Sequence, residues 1–348
     1  MKALTFQGKE TIQLREIPDP TLLHPTDAIV KVNVCAICGS DLHVYHEREK
    51  GIAPGTAMGH EFAGVVVEVG KEVRRFRIGQ RVMSPFTTSC GQCFYCRIGL
   101  TCRCIHSQLF GWIENGLGLH GGQAEYIRVP LADSTLVEIP EGISREEALL
   151  LGDVLSTGYF CAKQADVKPG GAYAIVGCGP VGLMAVVAAR ELGANKVFAI
   201  DTVPERLAKA KEFGAIPIDA AVMKPLEVIH EMTDGRGVEG SLEAVGSHSA
   251  VKLAVELVRP GGVVSSVGVC NDAHLAFSPV EAYNKNLTYR IGRCPARALM
   301  EPLVPLVRNR KYDLSSIFTH RMKLQEGTAG YRIFAGKEDH CLKVLLEP

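Results

Sequence analysis

The sequence predicts an α/β protein of two domains, the first rich in β-strands and the second a doubly wound parallel sheet. The chain has 348 residues, more than one hydrophobic core usually accommodates. Residues 1–150 carry apolar, β-branched runs punctuated by Gly and Pro, such as residues 28–34 and 61–69. From about residue 154 to residue 292, short apolar strands alternate with helical stretches, which is typical of βαβ units.

The βαβ series begins with AYAIV and KVFAID and continues with two further buried strands, GVEGSLEAVG and GGVVSSVGV, separated by the helical SAVKLAVELV. It stops after Gly292, and the remaining tail is too short for a core of its own. We therefore predict a first domain over residues 1–152, a second over residues 153–292, and a tail, residues 293–348, that packs back on the first domain.

Composition and charge exclude several classes of protein. Lys plus Arg and Asp plus Glu number 38 each, so no basic surface for nucleic acid is expected. The uncharged stretch 172–189 is interrupted by Gly177, Gly179, Pro180 and Gly182, which favours a strand, a turn and a helix over a membrane span. The N-terminus lacks the apolar core of a signal peptide. We expect a cytoplasmic protein without nucleic-acid or membrane partners.

Residues 177–182 read GCGPVG, between the strand AYAIV and a helix that reaches Arg190. In this Rossmann motif the first glycine permits a tight turn, the second lets a pyrophosphate approach the backbone, and the third lets helix and strand pack closely. The phosphates would lie at the helix N-terminus. The residues predicted to form this dinucleotide site are Gly177, Gly179, Pro180, Val181 and Gly182.

Asp201 ends the strand KVFAID, 24 residues after Gly177. A carboxylate there can accept hydrogen bonds from both hydroxyls of the adenosine ribose. It would also repel a 2′-phosphate, so NAD is predicted over NADP. Arg206 could soften that preference; the alternative is a solvated residue on the first turn of a helix that begins near Pro204.

Twelve cysteines without a secretion signal indicate metal or redox chemistry. Cys90, Cys93, Cys96 and Cys104 form a CxxCxxCx₇C pattern. Four thiolates around a tetrahedral zinc leave no open position, so the predicted site is structural. The alternatives are an iron–sulfur cluster and Cys102 in place of Cys104. A zinc ribbon that binds nucleic acid is disfavoured by the neutral charge balance.

Four further residues are candidate metal ligands: Cys38 in CAICGSDLH, His60 and Glu61 in GHEFAG, and Asp153 in GDVLSTGY. Each alone has an ordinary explanation, such as a buried thiol. Together with CxxCxxCx₇C and GCGPVG, their order and spacing resemble the zinc-containing medium-chain dehydrogenases over essentially the whole chain. The resemblance implies a GroES-like, mainly β catalytic domain completed by the C-terminal tail, and a Rossmann domain, with the active site in the cleft between them.

The resemblance also implies the cofactors, which are NAD and two zinc ions per chain, one catalytic and one structural. Cys38, His60 and Asp153 match the catalytic zinc ligands, with Glu61 as a neighbour or exchangeable ligand. Many members have Cys where Asp153 stands. The implied ligand set therefore combines one sulfur, one nitrogen and one oxygen.

By the same matching, Ser40 and His43 correspond to a proton relay, and Asp41 to a carboxylate beside the zinc-bound His. Lys343 matches a basic residue that faces the cofactor phosphates, and its alternative is a solvated lysine at a strand edge. Gly39 replaces an Arg that some members use for the same phosphates. The remaining predicted cofactor contacts are Thr157, Val267 and Val269.

The implied reaction is hydride transfer from a zinc-bound alkoxide to NAD, with the alcohol proton leaving through Ser40 to His43. The substrate is expected to be a small alcohol or carbonyl compound. Phe86 matches an aromatic wall of the substrate pocket. Gln123 occupies a position where an aromatic residue is common, and it either contacts a second polar group of the substrate or bonds to backbone.

Two other functions stay open at this point. One is a polyol, sugar or threonine-type dehydrogenase of the same family. The other is a zinc- and dinucleotide-binding protein without turnover, although Cys38 and His60 are both present. The resemblance also leads us to expect a homodimer or homotetramer.

Overall fold

A computed structural model describes residues 1–348 and divides them into two compact units. Unit 1 comprises Met1–Ser156 and Pro295–Pro348, and unit 2 comprises Thr157–Cys294. The observed boundaries lie after residues 156 and 294, whereas the predicted boundaries lie after residues 152 and 292. The first observed boundary falls within a single helix, Val154–Gln164, which begins just after the predicted boundary.

The strands, in chain order, are β1 (Lys2–Gly8), β2 (Thr11–Glu16), β3 (Ala28–Ile37), β4 (Phe62–Val69), β5 (Arg81–Met83), β6 (Trp112–Glu114), β7 (Leu117–Leu119), β8 (Tyr126–Val129), β9 (Val137–Glu138), β10 (Ala172–Val176), β11 (Lys196–Asp201), β12 (Ile216–Asp219), β13 (Val238–Glu243), β14 (Val258–Ser266), β15 (Thr288–Ile291), β16 (His320–Lys323) and β17 (Val344–Glu347).

The α-helices are α1 (Asp41–Tyr45), α2 (Phe94–Arg97), α3 (Ala132–Thr135), α4 (Arg145–Gly152), α5 (Val154–Gln164), α6 (Pro180–Glu191), α7 (Pro204–Glu212), α8 (Pro225–Met232), α9 (His248–Leu257), α10 (Pro279–Lys285), α11 (Ala296–Arg308) and α12 (Gly327–Gly336). Short 3₁₀ turns lie at Thr101–Arg103, Leu314–Ile317, Leu324–Glu326 and Glu338–His340.

Unit 2 is a parallel sheet of six strands in the order β12-β11-β10-β13-β14-β15. Strand order reverses between β10 and β13, and in such sheets ligands bind outside the carboxyl ends of the strands at this reversal. The neighbouring interior strands β10 and β11 are almost entirely buried, as their continuous apolar sequences require. The predicted doubly wound parallel sheet is confirmed.

Helix α6 accounts for most of the uncharged stretch that follows β10. It begins at Pro180, and Pro suits the first helical position because the missing N–H has no partner there in any case. Residues 182–189 are all buried, so the helix is apolar because it lies in the core. None of the helices combines the length and apolar character that crossing a bilayer needs.

Unit 1 is organised around the ten-residue strand β3, which pairs antiparallel with β4, β8 and β17. These strands belong to a seven-stranded sheet in the order β16-β17-β3-β4-β5-β9, with β8 paired to β3 outside this order. Because β17 is the last strand of the chain, the C-terminal tail forms part of the sheet of unit 1. Val344 lies opposite Ile37, which brings the start of β17 beside the end of β3.

Candidate functional site

Four potential metal ligands from separate parts of unit 1 converge at one end of the β3–β4 pair. Cys38 follows β3, and His60 and Glu61 precede β4. These segments meet because the two strands are antiparallel neighbours, with the Ala36 N–H donating to the carbonyl oxygen of Glu61 at 3.2 Å. Asp153 joins them from the junction of α4 and α5. One ligand atom from each residue lies within 4.8 Å of all the others.

The chemistry of this group fits a bound cation. Asp153 Oδ2 lies 3.4 Å from Cys38 Sγ and 3.3 Å from His60 Nε2. Burial and the neighbouring Asp153 carboxylate raise the pKa of the Cys38 thiol to about 11, so a thiolate there needs a cation beside it. The Oε2 atom of Glu61 is buried and has no hydrogen-bond partner, which a metal ion would supply.

The orientation of His60 is set by Asp41. His60 Nδ1 donates to Asp41 Oδ1 at 3.2 Å, while Asp41 Oδ2 accepts from the Cys38 N–H at 3.0 Å. With Nδ1 occupied, Nε2 is the ring atom that faces Asp153. A carboxylate that fixes the tautomer of a histidine is a common support for metal binding.

Ser40 and His43, the two predicted members of a proton relay, lie in one short stretch of chain. Ser40 immediately precedes α1, and its Oγ lies 3.3 Å from His60 Nε2. His43 is in the first turn of α1, where its N–H donates to the Ser40 carbonyl oxygen at 3.0 Å. Burial, together with Arg48 and His46, lowers the pKa of His43 below 6.5, so the imidazole is mainly neutral at pH 7.

Lys343 does not have the solvated environment of the alternative prediction. It directly precedes β17 and is fully buried, so the interpretation as a solvated lysine is wrong. Its Nζ donates to Glu61 Oε1 at 2.6 Å and to the Ile37 carbonyl oxygen at 3.4 Å. The ammonium contacts Glu61 of the candidate metal group. A buried pair of this kind balances the Glu61 charge.

Gln123, a predicted substrate contact, makes its side-chain hydrogen bonds within unit 1. The side chain is fully buried, and its Nε2 donates to the Ala36 carbonyl oxygen and to Asp41 Oδ2, both at 3.1 Å. Its Oε1 accepts from the Tyr331 hydroxyl at 2.8 Å. The alternative prediction, a side chain that bonds to backbone, is observed in the contact with Ala36. Phe86, by contrast, lies edge-on to the His60 ring with the centroids 6.3 Å apart.

The second group consists of Cys90, Cys93, Cys96 and Cys104, whose sulfur atoms also lie within 4.8 Å of one another. Cys104 Sγ accepts from the N–H of Cys90 at 3.2 Å and of His106 at 3.4 Å. Backbone N–H groups of Cys96 and Ile105 lower the pKa of the Cys93 thiol to about 6. Such donors favour thiolates, which are the form that binds zinc.

Cys102 is buried outside this group. The structure therefore selects Cys104 rather than Cys102 as the fourth member. All twelve cysteines are free thiols, so no cysteine of either group forms a disulfide.

The glycine-rich turn of unit 2 has the geometry expected of a dinucleotide site. Gly177 adopts a φ of +89°, which permits the sharp turn after β10. A Cβ on Gly182 would lie 1.8 Å from the Gly177 carbonyl oxygen, so helix and strand approach too closely for any side chain. A Cβ on Gly179 would meet nothing within 4 Å, leaving open space at the start of α6, next to Pro180 and Val181.

Asp201 lies beside this turn at the end of β11. Its Oδ2 accepts from the Cys178 N–H at 2.7 Å, and its Oδ1 accepts from the N–H groups of Thr202 and Val203 at 2.7 and 3.0 Å. Arg206 Nη1 is 3.7 Å from Asp201 Oδ2, so Arg206 is partly buried against the carboxylate rather than solvated. Its Nε is buried without a partner.

Sequence reasoning missed Glu243, a fully buried carboxylate at the end of β13. Its Oε1 accepts from the N–H groups of Val245 and Gly246, both at 2.7 Å, and its Oε2 accepts from Ser266 Oγ at 2.5 Å. Val245 contacts the Gly177 turn, since a Cβ on Gly177 would lie 2.3 Å from Val245 Cγ2. A charged residue inside the apolar strand GSLEAVG was the signal available in the sequence.

Two of the other predicted cofactor contacts, Val267 and Val269, lie near the same loops of unit 2. The Val267 N–H donates to the Glu243 carbonyl oxygen at 3.0 Å, and the Val269 backbone lies against Gly246. Thr157 is buried near the start of unit 2, in α5.

Comparison with known proteins decides the family. A model of the alcohol dehydrogenase GroES-like domain matches residues 24–141, and a model of zinc-binding dehydrogenases matches residues 180–308. Zinc-type alcohol dehydrogenase B of Aspergillus flavus is 37% identical over 345 residues, which cover 96% of this chain and 78% of that protein. The chain belongs to the zinc-containing medium-chain alcohol dehydrogenases.

Two further members extend the comparison. Alcohol dehydrogenase TADH from Thermus sp. ATN1 superposes with a TM-score of 0.93 at 40% identity, over 100% of this chain and 99% of that chain. The NADP-dependent isopropanol dehydrogenase of Thermoanaerobacter brockii is 34% identical over 305 residues, 85% of each protein. The predicted combination of a GroES-like domain and a Rossmann domain is confirmed, and the protein is a zinc-type oxidoreductase of this family.

Proposed function

We propose that this alcohol dehydrogenase transfers hydride between a small alcohol, or its aldehyde or ketone, and NAD. The observation that carries the proposal is the buried group of Cys38, His60, Glu61 and Asp153, which lies within 4.8 Å in a chain that also has the dinucleotide turn. When bound there, zinc would supply the Lewis acidity that lowers the pKa of an alcohol hydroxyl. The group of four cysteines would hold a second, structural zinc ion.

The surroundings of the site support a role for Ser40 and His43 in moving the substrate proton. Ser40 Oγ is within 3.3 Å of the His60 atom that faces the candidate metal group, so a substrate oxygen near the metal would also be near this hydroxyl. A hydroxyl can accept one proton while passing on its own. His43, which is mainly neutral at pH 7 because of its lowered pKa, would be the final acceptor.

The substrate proposed is a simple alcohol or carbonyl compound rather than a polyol. The sequence argument for a second polar group on the substrate rested on Gln123. All of that side chain's contacts are made inside unit 1, to Ala36, Asp41 and Tyr331. Phe86, beside the His60 ring, would present an apolar wall.

NAD is the proposed cofactor because the Asp201 carboxylate lies at the end of β11, where it would meet the adenosine ribose. A negative charge there repels a 2′-phosphate. Asp201→Asn should therefore raise the ratio of kcat/KM with NADP to kcat/KM with NAD by at least about tenfold, since like charges in contact cost several kcal/mol. Steady-state kinetics with both cofactors measures the ratio.

Arg206→Ala is the matched comparison for Asp201→Asn. Arg206 is the neighbouring cation, with Nη1 at 3.7 Å from Asp201, so its removal should lower the same ratio. An unchanged ratio in Asp201→Asn, with both cofactors still bound, would contradict the assignment of cofactor preference to Asp201.

The relay predicts a specific pH dependence of alcohol oxidation. A proton acceptor works in its neutral form, which exists above its pKa, and the pKa of His43 is lowered below 6.5. The rate should therefore fall only as the pH drops below about 6.5. His43→Gln should reduce kcat near neutral pH by about tenfold or more and remove this acid limb from the kcat profile.

The exposed His230 of unit 2 supplies the control, because His230→Gln removes an imidazole far along the chain from α1. It should leave the acid limb in place. Retention of the limb in His43→Gln would exclude His43 as the acceptor.

The proposed function is tested with a panel of primary and secondary alcohols, polyols and the corresponding carbonyl compounds. Protein shown to hold two zinc ions per chain is mixed with NAD or NADH, and absorbance at about 340 nm is followed. We expect turnover with simple alcohols that exceeds turnover with polyols. A zinc-loaded protein that turns over no member of the panel with either cofactor would leave only a binding function.

A further inference from the structure

Three buried polar side chains connect helix α12 to His60 within unit 1. The Tyr331 hydroxyl donates to Gln123 Oε1 at 2.8 Å, Gln123 Nε2 donates to Asp41 Oδ2 at 3.1 Å, and His60 Nδ1 donates to Asp41 Oδ1 at 3.2 Å. Tyr331 and Gln123 are fully buried, and Asp41 is nearly so. A hydrogen-bonded chain with no access to water keeps its geometry because no solvent molecule can replace a lost partner.

The direction of every hydrogen bond in this chain follows from its partners. Gln123 Nε2 faces two acceptors, the Ala36 carbonyl oxygen and Asp41 Oδ2, so it is the amide nitrogen. Oε1 is then the acceptor, and the Tyr331 hydroxyl must be the donor. Burial and the Asp41 charge raise the pKa of Tyr331 well above 10, so this hydroxyl keeps its proton. A flipped amide would set its oxygen against the Asp41 carboxylate, and it is therefore excluded.

Packing fixes Gln123 as firmly as its hydrogen bonds do. Gly59, which directly precedes His60, has a φ of +88°, and a Cβ there would lie 2.4 Å from Gln123 Cγ. The Gln123 N–H donates to the Met58 carbonyl oxygen at 2.9 Å. Gln123 therefore rests on the backbone that carries His60, with little room to move.

We propose that Gln123 and Tyr331 are positioning residues that hold the Asp41 carboxylate toward His60 and so set the affinity of this site for zinc. The inference rests on the proposed zinc site. Asp41 Oδ2 receives hydrogen bonds from Gln123 Nε2 and the Cys38 N–H, so loss of the Gln123 donor frees the carboxylate to turn away from His60. Neither Gln123 nor Tyr331 belongs to the candidate ligand group, and both act through Asp41.

The test compares Gln123→Met, Tyr331→Phe and a matched control, Tyr173→Phe. Tyr173 is a buried tyrosine of unit 2 whose hydroxyl donates to the Asp166 carbonyl oxygen and accepts from the Lys168 N–H. Each purified protein is dialysed against a graded series of a zinc chelator, and zinc per chain is measured. The zinc bound by the four cysteines serves as an internal reference in every sample.

We expect Gln123→Met to weaken zinc binding at the Cys38–His60 site by about tenfold, since partners that orient metal ligands contribute about 10–100-fold to metal affinity. Tyr331→Phe removes one oxygen atom and should weaken it less, by about threefold. The double variant should bind zinc no more weakly than Gln123→Met alone, because both residues act through the same hydrogen-bonded chain to Asp41. Tyr173→Phe should bind zinc as the unsubstituted protein does.

The visible absorption spectrum of bound cobalt(II) provides a second measurement, which a general loss of stability does not change. With cobalt in the Cys38–His60 site, the visible absorption bands should shift in Gln123→Met and Tyr331→Phe but not in Tyr173→Phe, because the bands report the ligand geometry. If both variants keep the unsubstituted zinc affinity and cobalt spectrum and lose only thermal stability, the inference is wrong. If the unsubstituted protein itself holds no zinc at this site, the proposed function fails instead.

Discussion

Asp153→Asn is expected to reduce the zinc content from the two ions per chain proposed above to one and to lower alcohol oxidation by at least about 100-fold. Asp153 Oδ2 is the atom that approaches both Cys38 Sγ, at 3.4 Å, and His60 Nε2, at 3.3 Å. Asn has the same shape but is neutral and rarely binds zinc. Atomic emission measures the zinc content per chain. Initial rates with NAD and the best alcohol of the panel measure the loss of activity.

The four-cysteine site is the internal control for Asp153→Asn, because its members form a group separate from that of Asp153. Asp166→Asn provides a control variant, since Asp166 is an acidic residue of unit 2 whose carboxylate pairs with Lys168 at 2.8 Å. It should keep both zinc ions. If Asp153→Asn also keeps two zinc ions and full activity, Asp153 is not a ligand.

Gly182→Ala is expected to destabilise unit 2 and to abolish NAD binding. The new Cβ would lie 1.8 Å from the Gly177 carbonyl oxygen, and a backbone atom cannot move aside as the end of a flexible side chain can. Overpacking of this kind costs about 1–3 kcal/mol or more, and relief of the clash would displace the turn that approaches the pyrophosphate. Thermal unfolding and an NADH fluorescence titration measure the two effects.

Gly179→Ala, compared with Gly182→Ala, separates the effect on cofactor binding from the effect on stability. A Cβ at Gly179 meets no protein atom within 4 Å, so the melting temperature should stay the same. NADH should nevertheless bind at least about tenfold more weakly, because the methyl group would occupy the space through which the pyrophosphate approaches. Unchanged NADH affinity in Gly179→Ala would contradict the placement of the phosphates at this turn.

The sites whose residues lie close together in the sequence could be predicted from the spacing of those residues. The GCGPVG turn, the strands on either side of it and the four-cysteine group each lie within a short stretch of chain. The roles predicted for the three glycines agree with the space around them. Where two cysteines competed for one position, Cys102 and Cys104, spacing could not decide, since both lie in the same turn and only the fold directs their sulfur atoms.

The packing of the C-terminal tail on the first domain was predicted, but the individual side-chain contacts between distant parts of the chain were not. Lys343 meets Glu61 across 282 positions because β17 pairs with β3, and no sequence pattern near either residue indicates that pairing. Tyr331 of α12 meets Gln123 across 208 positions. Cys38, His60 and Asp153 were joined only through family resemblance, because each has an ordinary structural explanation on its own.

The most direct test of the proposed chemistry follows deuterium rather than absorbance. NADH deuterated at the reactive C4 position is incubated with a mixture of simple aldehydes and ketones, and the product alcohols are analysed by mass spectrometry. The fully zinc-loaded protein should transfer deuterium to the carbinol carbon. Protein stripped of the zinc at the Cys38–His60 site should transfer none, and transfer should return when zinc is restored. Equal transfer by the stripped protein, or no transfer by the loaded one, would contradict zinc-dependent hydride transfer.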